Sequence, residues 1–363
     1  MLKNLSVAKD ALYVQALDGG LGRLWRVTFG GVVEPVPLPF EGALGGLVPN
    51  PATPGALVLL ESWTKSPLWY TYDPQSRRLA DTRLVEPSPV DFSGVEAVEV
   101  QARSADGTMV PLSIIFKKGI TLDGSHPTWL SGYGAYGITI DPNFRPTRLA
   151  WLERGGVFAY AHARGGGEFG QDWYETGKLL TKQHTIDDFL ACAQYLIDRG
   201  YTSPARLAGE GTSAGGITIG GAITQRPELL GAAIIRVGVS NAVRFEFTEN
   251  AVNTMEFGSV KTPEGFKALY AMDAYLHVKP GTPYPAVLLT TGATDPRVSP
   301  WQAAKMAARL QASTTSGKPI LLRVDYDAGH GLGSTKSQRD EELADEEAFL
   351  LWQLAPRVTS ATP

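Results

Sequence analysis

A single cysteine, Cys192, stands in the 363 residues, so no disulfide can close within the chain and a disulfide-stapled scaffold is excluded. Histidine is scarce as well, with five residues at 126, 162, 184, 277 and 330, no Cys/His cluster at zinc spacing and no H-E-x-x-H. Neither a metal centre nor a cofactor is expected. There is no block of basic residues, and the balance of 33 Lys and Arg against 37 Asp and Glu gives a formal charge of −4. That balance argues against nucleic acid and anionic membrane as partners. Residues 1–20 lack the uninterrupted apolar core of a signal peptide, and no stretch reads as a membrane span, so a cytoplasmic location is expected. The glycine run Gly165-Gly166-Gly167 is followed by no G-K-[ST] and no ribose-binding acid, which leaves a tight loop rather than a phosphate cradle.

What is present is apolar material. A hydrophobic fraction of 43% with 19% charged residues suits a folded protein with a substantial core. Cys192 falls in a segment where Phe189, Ala193, Leu196 and Ile197 mark an amphipathic helix ending near Gly200, so it reads as a small packed residue.

Gly209-Glu210-Gly211-Thr212-Ser213-Ala214-Gly215-Gly216 carries G-x-S-x-G between the apolar Leu207-Ala208 and a helix-like run from Ile217 to Ile223. This is the pattern of a nucleophile elbow. Glycines two places before and after Ser213 remove the β-carbons that would clash where strand and helix meet, so the serine can take a strained backbone position with Oγ exposed. A serine hydroxyl needs a base and a group that orients the base, and the α/β-hydrolase order is Ser, Asp, His. Residues 285–292 read as a buried parallel strand emptying into a turn with Asp295, and residues 320–326 as a second such strand ending at Ala328-Gly329-His330-Gly331. Both candidates follow the carboxyl end of a strand, where open α/β sheets place their sites. An Asp after a strand can also be a turn or N-cap residue. Of the histidines, His126, His184 and His277 read as surface residues and His162 as a packed strand-end residue, while His330 has a glycine on each side. Ser213, Asp295 and His330 form the expected catalytic triad.

Together with Gly165-Gly166-Gly167-Glu168-Phe169-Gly170, the elbow, Asp295-Pro296-Arg297-Val298 and Ala328-Gly329-His330-Gly331 resemble the catalytic domain of the prolyl oligopeptidases, serine peptidases of the α/β-hydrolase fold. The resemblance runs from about Val95 to Leu354. It implies Ser213 as nucleophile, His330 as general base and acid, and Asp295 as orienter of the imidazole. It also implies an oxyanion hole made by the Tyr133 hydroxyl, in Gly132-Tyr133-Gly134, and the backbone N–H of Ala214. Arg297 matches a family arginine that binds a substrate carbonyl. On the residues alone, Tyr133 following the strand-like Thr128 to Ser131 among glycines fits a side chain aimed into a cleft or a packed tyrosine with its hydroxyl capped. Arg297 could equally be a surface residue before a helix expected over 300–312.

One departure stands out. Where proline-selective members carry a tryptophan a few residues before Asp-Tyr-Gly, this chain has Asn253-Thr254-Met255-Glu256-Phe257-Gly258. Asn253 or a neighbour replaces the aromatic floor, Tyr136 and Phe257 remain as aromatic walls, and Glu249 and Glu256 flank the region, placed to recognise a substrate amine or simply solvated. Losing the flat apolar surface forfeits discrimination of roughly 1–3 kcal/mol. A peptidase on short peptides and a carboxylesterase on small esters both stay open, with a non-catalytic binding or scaffold protein a third reading.

Residues 1–85 repeat with an offset of 44, Val14 matching Val58, Leu24-Trp25 matching Leu68-Trp69 and Arg26 opposite Tyr70. Short strands broken at Asp18-Gly19-Gly20, Gly30-Gly31 and Asp73-Pro74-Gln75-Ser76 give about two propeller-like blades. Two blades cannot close a propeller, and the family's members carry a full one, so this part reads as truncated. Open blade edges and the apolar Trp25, Trp63 and Trp69 need covering, by the hydrolase part or by a second copy, and a homo-oligomer is expected. The division is a β segment over 1–85, a proline-held linker over 86–94, an α/β-hydrolase domain with a mostly parallel doubly wound sheet over 95–355, and a tail over 356–363.

Overall fold

The computed structural model describes residues 1–248, 253–331 and 334–355. The repeat of the first 85 residues becomes a pair of four-stranded antiparallel sheets. The first contains β1 (Leu2–Val7), β2 (Ala11–Asp18), β3 (Leu21–Thr28) and β4 (Val33–Val36); the second contains β5 (Ala43–Asn50), β6 (Thr53–Glu61), β7 (Leu68–Asp73) and β8 (Arg78–Asp81). Val14 and Val58 sit on β2 and β6, and Leu24-Trp25 and Leu68-Trp69 on β3 and β7, so the repeated residues occupy equivalent strands. The sheets pack through Tyr13, Leu24, Leu44, Val58, Leu60 and Tyr72.

The remainder forms an eight-stranded sheet in the order β16-β15-β14-β13-β11-β12-β10-β9. Its strands are β9 (Val95–Arg103), β10 (Met109–Lys117), β11 (Thr128–Gly132), β12 (Val157–Ala161), β13 (Leu207–Thr212), β14 (Ala232–Arg236), β15 (Ala286–Gly292) and β16 (Ile320–Asp325). Pairing is parallel from β12 through β16 and antiparallel only where β10 meets β12 and β9. Alternate residues face opposite layers, as strand geometry demands. Ala233, Ile235, Val287 and Leu289 meet α3 (Gln183–Asp198), α4 (Gly215–Gln225) and α8 (Trp301–Ser313), whereas Ala232, Ile234, Ala286 and Leu288 meet α1 (Arg148–Glu153) and α9 (Lys336–Leu354). Helices on both faces of the sheet make it doubly wound. Four short or peripheral helices complete the set: α2 (Gln171–Glu175), α5 (Thr254–Phe257), α6 (Pro263–Met272) and α7 (Ala274–His277). Cys192 is fully buried on α3, and no described helix is long and apolar enough to cross a membrane.

One strand departs from expectation. Residues 320–325 do form a strand, but β16 is the edge of the sheet, and Leu321 and Leu322 are 41% and 37% exposed. An apolar run reads as buried from sequence because periodicity cannot report which strand ends the sheet.

The N-terminal sheets and the eight-stranded sheet share a buried contact. Trp63 stacks on Tyr160 with ring centroids 4.7 Å apart, donates from Nε1 to Glu99 at 3.1 Å, and lies under the Arg148 guanidinium. Of the tryptophans that needed cover, Trp63 obtains it from the eight-stranded sheet, while Trp25 stays 37% exposed.

Candidate active site

Ser213 lies between β13 and α4 with φ +57°, a left-handed value that a residue with a β-carbon adopts only under constraint. The constraint is visible. Its N–H donates to Arg236 O at 2.8 Å, and its carbonyl accepts from Val239 N at 3.0 Å and Gly216 N at 2.9 Å. A β-carbon on Gly211 would stand 2.3 Å from Gly215 O, so the elbow closes only with glycine there.

Asp295 follows β15 and His330 follows β16, and the two turns are tied together by the Thr294 N–H and hydroxyl, both donating to Ala328 O. His330 Nδ1 is 2.7 Å from Asp295 Oδ2, and His330 Nε2 is 3.0 Å from Ser213 Oγ. The second carboxylate oxygen, Oδ1, accepts the N–H groups of Arg297 and Val298 at 2.8 and 2.9 Å. Each Asp295 oxygen thus has a separate task, one turned to the backbone and one to the imidazole. The Asp295 side chain is 0% exposed and that of His330 5%, so little water competes for the pair.

Tyr133 follows β11 and is half-buried, and its carbonyl accepts from Thr218 on α4 at 3.0 Å. Burial, opposed by the nearby Arg297 charge, pushes its hydroxyl up to about 12, which keeps it a proton donor at neutral pH. Among the described residues that hydroxyl has no hydrogen-bond partner, and neither has the Ala214 N–H at the start of α4. Arg297 is exposed and makes no ion pair among the described residues.

Tyr136, at φ +58° and 37% exposed, gives its hydroxyl to Asn253 Oδ1 and its N–H to Glu256 Oε1 at 3.0 Å. Phe257 meets Tyr136 edge-on, with centroids 5.7 Å apart, but is only 1% exposed and belongs to a core with Phe245, Ala268 and Leu269. Phe257 therefore backs Tyr136 and offers no surface to a ligand, a correction to its expected place as a pocket wall. Glu256 is corrected too. It is 1% exposed with both oxygens occupied, the second by the Tyr174 hydroxyl at 2.6 Å, so it neither meets a substrate amine nor faces solvent. Glu249 lies outside the described residues.

Lys182 was not among the sequence candidates. It is 1% exposed and donates from Nζ to Gly134 O, under the loop that carries Tyr133 and Tyr136. Burial brings its ammonium down to about 8, against the opposing pull of Glu256. Its sequence setting, Leu179-Leu180-Thr181-Lys182-Gln183, looks like an ordinary helix entrance, and the only available signal was the glycine-rich 132–137 loop, whose backbone groups needed partners from elsewhere. Two cavities border the site, one of about 440 Å³ beside His330 and one of about 530 Å³ beside Tyr133, and both reach Thr212 and Arg236.

A doubly wound, mostly parallel sheet with a strained serine at a strand-to-helix turn, an imidazole on its Oγ and a carboxylate behind the imidazole defines the α/β-hydrolase class. Within that class, the model described as "Prolyl oligopeptidase family" matches residues 142–357. The chain belongs to the prolyl oligopeptidase family. Similar curated proteins include a prolyl endopeptidase of Elizabethkingia miricola, 33% identical over 90% of this chain and 46% of that protein. Another is a dipeptidyl aminopeptidase BI of Pseudoxanthomonas mexicana, 34% identical over 85% of this chain and 44% of that one. Among solved structures, one of a pair of prolyl endopeptidases matches with a TM-score of 0.91 at 34% identity, over 97% of this chain and 52% of the other. Oligopeptidase B from Leishmania major matches with a TM-score of 0.87 at 28% identity, over 97% and 52%. The chain spans about half, or less, of the length of the relatives it matches.

Proposed function

We propose that this chain is a serine hydrolase acting on short peptides through a covalent acyl-enzyme. The observation that carries the reading is the continuous Ser213–His330–Asp295 hydrogen-bond chain on a strained elbow, in a member of a peptidase family. Ser213 Oγ attacks the carbonyl carbon as its proton passes to His330 Nε2, and Asp295 holds the Nδ1–H and stabilises the imidazolium. The displaced electron pair rests on the carbonyl oxygen, which accepts from Ala214 N–H and the Tyr133 hydroxyl, both without a partner among the described residues. Collapse expels the leaving amine with the proton from His330. Water, deprotonated by the same imidazole, then attacks the ester, and Ser213 leaves with the proton restored. Arg297, exposed and without an ion pair among the described residues, is free to bind a second substrate carbonyl, and Tyr136 with Asn253 lines the pocket for the cleaved residue.

Carboxylesterase activity is the second reading, and Asn253 favours it. A polar residue stands where proline-selective relatives carry an aromatic floor, and Phe257, buried behind Tyr136, does not replace that floor. The two readings separate on kcat/KM for a blocked proline anilide and for a short-chain aryl ester. Efficient anilide cleavage supports the peptidase, ester turnover alone supports the esterase, and turnover of neither contradicts both.

We also propose a division into a β segment over 1–85, a linker over 86–94 and a catalytic domain over 95–355, and self-association through the N-terminal sheets. The edge strand β1 exposes Leu2 at 73% and Leu5 at 58%, and the opposite edge β4 exposes Val33 at 60%. Unpaired apolar edges favour pairing with a second copy. Light scattering of the isolated chain at micromolar concentration is expected to give more than the monomer mass, and a clean monomer contradicts association.

A further inference from the structure

The 133–137 loop, Tyr-Gly-Ala-Tyr-Gly, has a backbone held mostly by side chains from outside it. Tyr133 O accepts from Thr218 at 3.0 Å, Gly134 O from Lys182, and Tyr136 N donates to Glu256 at 3.0 Å; Gly137 N reaches Gly165 O at 3.0 Å. Two of these clamps are ionisable and almost wholly buried, Lys182 and Glu256 each being 1% exposed. Burying an ammonium and a carboxylate is costly, and apolar side chains of the same size would pack the same space more cheaply. Position 134 accepts only glycine. It has φ +66°, and a β-carbon there would stand 2.3 Å from Thr185 Cγ2. Thr218 holds the carbonyl of the Tyr133–Gly134 peptide and Lys182 that of the next one, Gly134–Ala135, so the two planes that follow Tyr133 are fixed in succession, and with them the direction in which the phenol projects.

We propose that Lys182 is a positioning residue for oxyanion stabilisation: its buried ammonium grips Gly134 O, with Glu256 as counter-charge and second clamp, and so sets where the Tyr133 hydroxyl stands. This rests on the reading of Tyr133 as an oxyanion donor. Lys182 touches neither substrate nor the reacting atoms, and it acts through the loop. Tyr136 keeps its own bonds to Glu256 and Asn253 when Lys182 is removed, so the donor moves while the substrate pocket stays, and the loss falls on kcat rather than KM.

The test is a double-mutant cycle between Lys182→Met and Tyr133→Phe in the whole chain, read as the rate of Ser213 phosphonylation by an alkyl fluorophosphonate and as kcat and KM on an aryl ester. Lys182→Met is expected to slow both reactions by about 10- to 100-fold, the cost of a donor displaced by about an ångström, with KM within about twofold. In the Tyr133→Phe background the same change is expected to cost less than about threefold, because the group it positions is already absent. Equal losses in the two backgrounds, or no loss in either, overturn the proposal. If Tyr133→Phe alone changes nothing, the oxyanion reading fails first and takes the positioning role with it, a result distinguishable from failure of Lys182 alone. Should Lys182→Met not fold, Glu256→Gln gives the decision. It keeps an acceptor for Tyr136 N–H while removing the counter-charge, and it must show the same coupling to Tyr133; additive losses overturn the proposal.

Discussion

Replacing Asp295 by Asn tests the site with almost no change of shape. Asp295 Oδ1 accepts two backbone N–H groups, from Arg297 and Val298, and Oδ2 faces His330 Nδ1 at 2.7 Å. An asparagine amide has one acceptor oxygen and one donor NH₂. Two backbone donors outvote one imidazole nitrogen, so the amide oxygen takes the Oδ1 position and the NH₂ turns to His330. Nδ1 must then accept, which places the imidazole proton on Nε2, 3.0 Å from Ser213 Oγ. The nitrogen that should receive the serine proton already carries one. This wrong-tautomer effect costs on the order of 10⁴ in kcat in serine peptidases with the same arrangement, or about 5.5 kcal/mol at 1.36 kcal/mol per factor of ten. Every hydrogen bond keeps a partner, so stability should hold within about 1 kcal/mol. The assay is kcat on an aryl ester beside a urea titration of the same sample. A loss below about tenfold in a variant of unchanged stability refutes the tautomer argument and removes Asp295 from its role.

Other expectations follow from neighbouring contacts. Tyr133→Phe should lower kcat by about 10² to 10³ with KM nearly unchanged, and unaffected turnover excludes the hydroxyl from the oxyanion hole. Gly211→Ala forces a β-carbon to 2.3 Å from Gly215 O, so loss of fluorophosphonate labelling and a destabilisation of about 1–3 kcal/mol in urea are expected; normal labelling contradicts the tight elbow. Lys182 also predicts a pH dependence. Its folded value of about 8 lies below the ordinary 10.5, so between these limits the unfolded chain holds the extra proton and stability rises with pH. Relative to Lys182→Met, the wild type should gain up to about 3 kcal/mol from pH 7 to 10.5 in urea titrations, and parallel pH curves contradict a Lys182 ammonium weakened by burial.

How much was legible from sequence varies by residue in a physically sensible way. Ser213, Asp295 and His330 were visible because each is punctuated locally, by glycines or by the end of an apolar strand, and the fold brings them within hydrogen-bond range. The two four-stranded sheets were visible as a 44-residue repeat carrying Leu24-Trp25 and Leu68-Trp69. The roles around Tyr136 were not. Phe257 and Glu256 sit on the short helix α5, and whether such residues face a ligand or the core depends on how α6 and the 133–137 loop close over them. Lys182 illustrates the same limit, since a lysine at a helix entrance carries no local mark of complete burial. The edge position of β16 is equally non-local, because the apolar run at 320–322 does not show that no described strand pairs beyond it.

The central claim, that Ser213 is an activated nucleophile, is tested most directly by intact-mass spectrometry after treatment with an alkyl fluorophosphonate. The account predicts a single adduct that maps to the Ser213 peptide, is absent from Ser213→Ala and forms far more slowly in His330→Ala. No adduct on the folded wild type, or one that persists in Ser213→Ala, contradicts it.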